Sequence, residues 1–110
     1  MTMTTNQFCV FLVEQVPETK HILDEHVNDN DELLPHVFFG DLTRYVMANG
    51  LGRMKIVEIL EQNFRLHGTE VEELIAVSFV ENLETEFDLE QAIRDVNAKE
   101  LIDEWRRQKT

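Results

Sequence analysis

His36 and Asp41 flank the aromatic pair Phe38-Phe39 in the stretch Glu32-Leu33-Leu34-Pro35-His36-Val37-Phe38-Phe39-Gly40-Asp41-Leu42-Thr43-Arg44-Tyr45, the segment that core packing alone explains least. An imidazole beside a carboxylate can serve as a general base held by an orienting acid, and a small hydrolase would place such a pair in a cleft. No nucleophile motif completes the set. Ser78, the only serine, sits between Val77 and Phe79 without the Gly-x-Ser-x-Gly turn that presents a hydroxyl, so a small packing residue is expected there. The plainer reading gives His36 a hydrogen bond to Glu32 or a loop carbonyl near a helix start, and pairs Asp41 with Arg44 or Tyr45. The expectation is therefore no catalytic residue and no enzyme, with His36 and Asp41 kept as a candidate cleft pair.

Four histidines, His21, His26, His36 and His67, raise the question of a metal. His21 and His26 stand five residues apart, which turns their side chains about 140° from one another on a helix, whereas ligand pairs on one face stand three or four apart. His21 with Glu25, or Glu25 with Asp29, could share a face, and a solvated charged face accounts for both. The single cysteine, Cys9, lies in the apolar run Phe8-Cys9-Val10-Phe11-Leu12-Val13 and reads as a buried, inert thiol. No metal and no cofactor are expected.

Residues 66 to 93 hold eight carboxylates, Glu70, Glu72, Glu73, Glu81, Glu84, Glu86, Asp88 and Glu90, and no Lys or Arg. Over the whole chain 22 Asp and Glu face 10 Lys and Arg, a formal net charge of -12 in 110 residues. Such a field repels phosphate backbones, so nucleic acid is not an expected partner, and it draws a basic protein surface instead. The partner-binding candidates are Glu70, Glu72, Glu73, Glu81, Glu84, Glu86 and Glu90. No apolar run approaches the about 20 residues that span a bilayer, and the N-terminal residues lack a basic leader, so no membrane association and a cytoplasmic setting are expected.

These groups must be positioned by helices, because apolar residues recur almost everywhere at spacings of three and four. A hydrophobic fraction of 43% and seven Phe fit one folded domain over residues 1 to 110, with 1 to 6 and 106 to 110 expected to fray. The fold class expected is all-α, a compact multi-helix bundle or a short HEAT-like stack of six to seven helices. Breaks are expected near Pro17, over Asn28 to Leu34, at Gly50 to Gly52, at Gly68 and over Glu84 to Asp88. Phe38, Leu42, Leu60, Phe64, Leu74, Ile75, Phe79 and Ile93 form the expected core. Thr69 with Glu72 reads as a capping box, Asp88 as the start of a sixth helix, and Asn97 with Glu100 as the cap of a seventh. Gly40, inside a helix, suggests a close neighbouring backbone.

The stretch Glu32-Leu-Leu-Pro-His-Val-Phe-Phe-Gly-Asp-Leu, together with Leu74-Ile-Ala-Val-Ser-Phe-Val-Glu-Asn-Leu, resembles a family of small uncharacterised bacterial domains, all helical, some of which look like immunity proteins for secreted toxins. The resemblance runs over about residues 8 to 105. It implies a helical fold and a bacterial cytosolic setting, inclines toward toxin neutralisation, and transfers no site residue. The leading expectation is a non-enzymatic protein-interaction module that meets a basic partner, immunity-like in form. A HEAT-like adaptor and a hydrolase using His36 and Asp41 are the alternatives.

Overall fold

A computed structural model describes residues 2–66 and 68–110, and among them there is no strand. Helix α1 spans Thr5–Gln15, and a 3-10 turn over Pro17–Thr19 leads into α2, Lys20–Asn30. Helices α3, Pro35–Met47, and α4, Arg53–Phe64, follow. Helix α5, Glu70–Ile75, runs into a π-turn over Ala76–Val80, and α6, Glu86–Ile93, and α7, Lys99–Lys109, close the chain. The all-α expectation of six to seven helices is met. The choice between bundle and stack is settled by α3, which touches α1, α2, α4, α5, the π-turn and α6. A solenoid unit meets only its neighbours, so these helices form a bundle around α3.

Seven of the eight expected core residues are buried, and Ile93 is partly buried against them. Phe8, Phe38, Phe39 and Phe79 are its largest fully buried side chains. Cys9 lies among these apolar groups, and burial pushes its thiol up to about 12. Thiolate is the reactive form, so a disulfide reagent at pH 8 should leave Cys9 unmodified until denaturant is added; prompt labelling of the folded protein would contradict its burial.

Several local expectations are corrected. Helix α2 continues through Asn30 instead of ending at Asn28, because Asn30 Nδ2 donates back to His26 O at 2.8 Å and Asp31 takes the left-handed turn, φ 62°. His26 is buried beneath this corner, where its Nε2 accepts the Leu34 amide at 2.9 Å and ties the end of α2 to the start of α3. Helix α3 ends at Met47, and Asn49 just after it takes the left-handed conformation, φ 59°. Gly52 does have positive φ, 84°, and a Cβ there would strike Val16 Cγ1 at 2.6 Å. Thr4 caps α1: its Oγ1 accepts the Gln7 amide while its own amide donates to Gln7 Oε1.

Gly40 has no close backbone neighbour. The nearest atom to a Cβ built there is Arg44 Nη1, 3.9 Å away and at the far end of a flexible side chain. Nothing offsets the entropic cost of glycine in mid-helix, so Gly40→Ala should raise stability by about 0.5–1 kcal/mol. Chemical denaturation monitored by helical circular dichroism checks this, and a loss of stability would mean that the site is tighter than these distances show.

Helix α4 organises the C-terminal third of the chain. Met54 is exposed, and the buried residues of α4 are Arg53, Ile56, Val57, Ile59, Leu60, Glu61 and Phe64. Arg53 Nε donates to Asn49 Oδ1 and its Nη1 to Ala92 O, both at 2.9 Å, so a guanidinium closes the last turn of α6. Glu61 does the converse for α7: its two carboxylate oxygens accept the amides of Glu100 and Leu101, each at 3.0 Å. The N-cap position of α7 is Ala98, whose side chain offers nothing, so Asn97 is not the cap and the cap comes from another helix.

Candidate functional site

His36 and Asp41 take separate partners. His36 is exposed in the first turn of α3, and its Nδ1 lies 2.5 Å from Ser78 Oγ, across from the π-turn. Asp41, five residues on and therefore turned about 140° away around the helix, pairs with Arg44. Pairing of Asp41 with Arg44 is the plainer of the two expectations for it, whereas the partner of His36 is Ser78 and neither Glu32 nor a loop carbonyl.

The π-turn is what aims Ser78. The amide of Glu81 reaches back five residues to Ala76 O, and the amides of Asn82 and Leu83 go to Phe79 O and Val80 O. Ser78 O instead receives Thr43 Oγ1 at 3.1 Å and Asn82 Nδ2 at 2.8 Å, while Gln108 Nε2 donates to Ala76 O. Widening one turn rotates the residues beyond it, which buries Ser78, Phe79 and Val80 in succession and leaves Val77 45% exposed. The apolar residues of this segment therefore form two short arcs with a phase shift between them. Chemically the arrangement is a hydroxyl–imidazole couple whose hydroxyl belongs to a residue only 4% exposed, and no carboxylate bonds His36 among the described residues.

Asp41 lines a shallow groove of about 370 Å³ between α2 and α3, with Glu25, His26, Asp29, Arg44 and Tyr45 among its walls. Among the described residues no group of three or more His, Cys, Asp or Glu is placed to hold a metal ion. His67 lies outside the described residues.

The seven glutamates divide by role. Glu72 works structurally: Thr69 Oγ1 accepts its amide at 3.0 Å, and its carboxylate accepts the Gly68 amide at 2.8 Å, not that of Thr69 as a capping box requires. Asp88 is likewise occupied, as the N3 partner of Thr85 in a full capping box, so the cap of α6 lies three residues before the position expected for it. Glu70, Glu73, Glu81, Glu84, Glu86 and Glu90 are exposed, and none of them forms an ion pair among the described residues. Asp24, Asp41, Asp103 and Glu104 are paired with cations on their own helices, and Glu61 with Arg65, the residue that follows α4. Glu81 shares a groove with Arg107 and Lys109, which brings cations of α7 near it. Glu84, Glu86 and Glu90 lie around the first turns of α6, on a segment with no Lys or Arg before Arg94.

Sequence reasoning passed over Arg53 and Glu61, although a signal was present. They stand on the same stripe, 53, 56, 57, 60, 61 and 64, at the spacing of a buried helix face. Phe87 carried the opposite signal, an aromatic residue out of phase with Leu89 and Ala92, and it is 66% exposed.

No helix among the described residues is long and apolar enough to cross a membrane. A family model described as a domain of unknown function, DUF7674, matches residues 10–109, and the chain belongs to that family. No curated protein and no solved structure matches the chain.

Proposed function

We propose that this member of the DUF7674 family is a non-enzymatic protein-interaction module of the cytoplasm, whose exposed carboxylates receive a basic protein partner. The observation that carries this reading is the set of six exposed glutamates, Glu70, Glu73, Glu81, Glu84, Glu86 and Glu90, none in an ion pair among the described residues, on a stretch from 66 to 93 that has no Lys or Arg. Unpaired charge of one sign raises the rate of encounter with an opposite surface and selects against acidic ones. The non-enzymatic part draws on the separate bonding of His36 and Asp41 and on the closure of Ser78 to solvent. An immunity-like role, in which the partner is a basic toxin covered on binding, is the specific form this reading takes from the sequence resemblance.

The test begins with affinity purification from the source cells, eluting with rising salt to identify basic proteins released in order of charge dependence. A variant carrying Gln at positions 70, 73, 81, 84, 86 and 90 is then compared with the parent. Glu72 is left in place because it holds the Gly68 amide. Association with the identified partner should slow by about tenfold or more, and its salt dependence should flatten. The same variant should melt at the parent temperature or slightly above it, since like charges repel. Unchanged affinity and salt dependence would assign these charges to solubility alone.

A further inference from the structure

Resting on the basic-partner reading, we propose that the outer face of α6 is the docking patch, with Phe87 as its apolar anchor and Glu84, Glu86 and Glu90 as its charged rim. Helix α6 turns Leu89 and Ala92 inward, and Phe87, about 160° from Leu89 and about 140° from Ala92 around the helix, faces water. A phenyl ring 66% exposed in a protein that fully buries Phe8, Phe38, Phe39 and Phe79 is the one aromatic ring among the exposed large apolar side chains of the described residues. Its surroundings give its partner a chemistry. Glu90 stands three residues along the same helix and is its neighbour on the surface, while Glu86 precedes it and Glu84 lies three residues before it. None of the three is in an ion pair among the described residues.

A buried aromatic ringed by polar groups is the usual form of an interface hot spot: the ring supplies most of the affinity once desolvated, and the rim sets encounter rate and excludes water. Here the rim is wholly acidic, so the surface it fits is a basic one with an apolar recess among its Lys and Arg residues. A second copy of this chain fits poorly, because each copy would bring a formal charge of -12 to the contact. The helix itself is pinned from both ends, by the Thr85–Asp88 box at its start and by Arg53 on Ala92 O at its end. That rigidity presents the ring without the entropic cost of ordering a loop.

Two synthetic peptides of equal charge test the anchor separately from the field: ten lysines, and (Lys-Lys-Leu)₅. Each is titrated into isotope-labelled protein at low and at physiological salt, with backbone amide shifts as the readout. The leucine-bearing peptide should bind about tenfold more tightly than oligolysine, with its largest shifts at residues 84–90, and Phe87→Ala should erase that advantage while leaving oligolysine affinity unchanged. The triple variant Glu84→Gln, Glu86→Gln, Glu90→Gln should weaken both peptides. Because Phe87 is exposed, its alanine variant should melt with the parent, and that is measured first. If the advantage of the leucine-bearing peptide survives Phe87→Ala, or its shifts map elsewhere, the anchor is overturned and the acidic field stands. If the triple variant leaves both peptides unaffected, the basic-partner reading fails with it. Sedimentation showing a dimer that Phe87→Ala dissociates would assign the patch to a second copy and overturn the proposal.

Discussion

Phe79→Ala should cost about 3 to 5 kcal/mol, a large part of the about 5–15 kcal/mol that holds a domain of this size together. Phe79 is fully buried in the π-turn, which packs on α3, α5 and α7, so truncation removes a ring from the place where three helices meet. Trp105, the only tryptophan, donates its indole N–H to Leu83 O at 2.5 Å and reports on this junction directly. Denaturant titration followed by its fluorescence should show the loss as a lowered midpoint. Val77→Ala is the matched control: two residues away but 45% exposed, it should change stability by less than about 0.5 kcal/mol. Comparable losses at the two positions would mean that the π-turn does not set the phase of this segment, and a Phe79→Ala protein with the parental midpoint would remove the junction from the core.

Glu61→Ala should be nearly as costly, by about 2–4 kcal/mol, because it removes two charge-assisted hydrogen bonds to backbone amides that have no other cap. The amides of Glu100 and Leu101 are helix-start donors, and the carboxylate that accepts them is almost closed to solvent. The loss should be local before it is global. Hydrogen exchange should accelerate first in residues 99–103, and α7 should loosen while α1 to α3 keep their protection. Arg65→Ala, which removes only the partly exposed cation beside Glu61, should cost less than about 1 kcal/mol. Uniform acceleration over all helices would show that α7 unfolds only with the whole domain.

The helices, their approximate limits and most of the core were legible in the sequence because an amphipathic helix writes its buried face as a spacing of three and four. Phe38, Leu42, Leu60, Phe64, Leu74 and Ile75 are buried for that reason. Charge content was equally legible, since composition needs no fold. The helix ends were less so: Asp88 and Asn97 looked like caps, but Thr85 takes the first role and Glu61, 39 residues from Glu100, takes the second. Local sequence can propose a cap; only packing can bring one from another helix.

Tertiary structure alone decided the partners of the chemical groups. His36 meets Ser78, 42 residues away, because a π-turn rotates the hydroxyl toward α3, and a single widened turn leaves no reliable mark in a pattern of apolar spacings. Asp41 goes to Arg44, a contact within one helix that spacing could supply. Arg53 and Glu61 show the same division from the other side: their positions on the apolar stripe were fixed by sequence, but their roles were fixed by where the ends of α6 and α7 come to rest. Apolar spacing and composition were enough to show that this protein is helical and strongly acidic. Which carboxylates cap a helix or pair with a cation depended on three-dimensional proximity, because an ion pair or a helix cap forms only between groups that packing brings within a few ångströms.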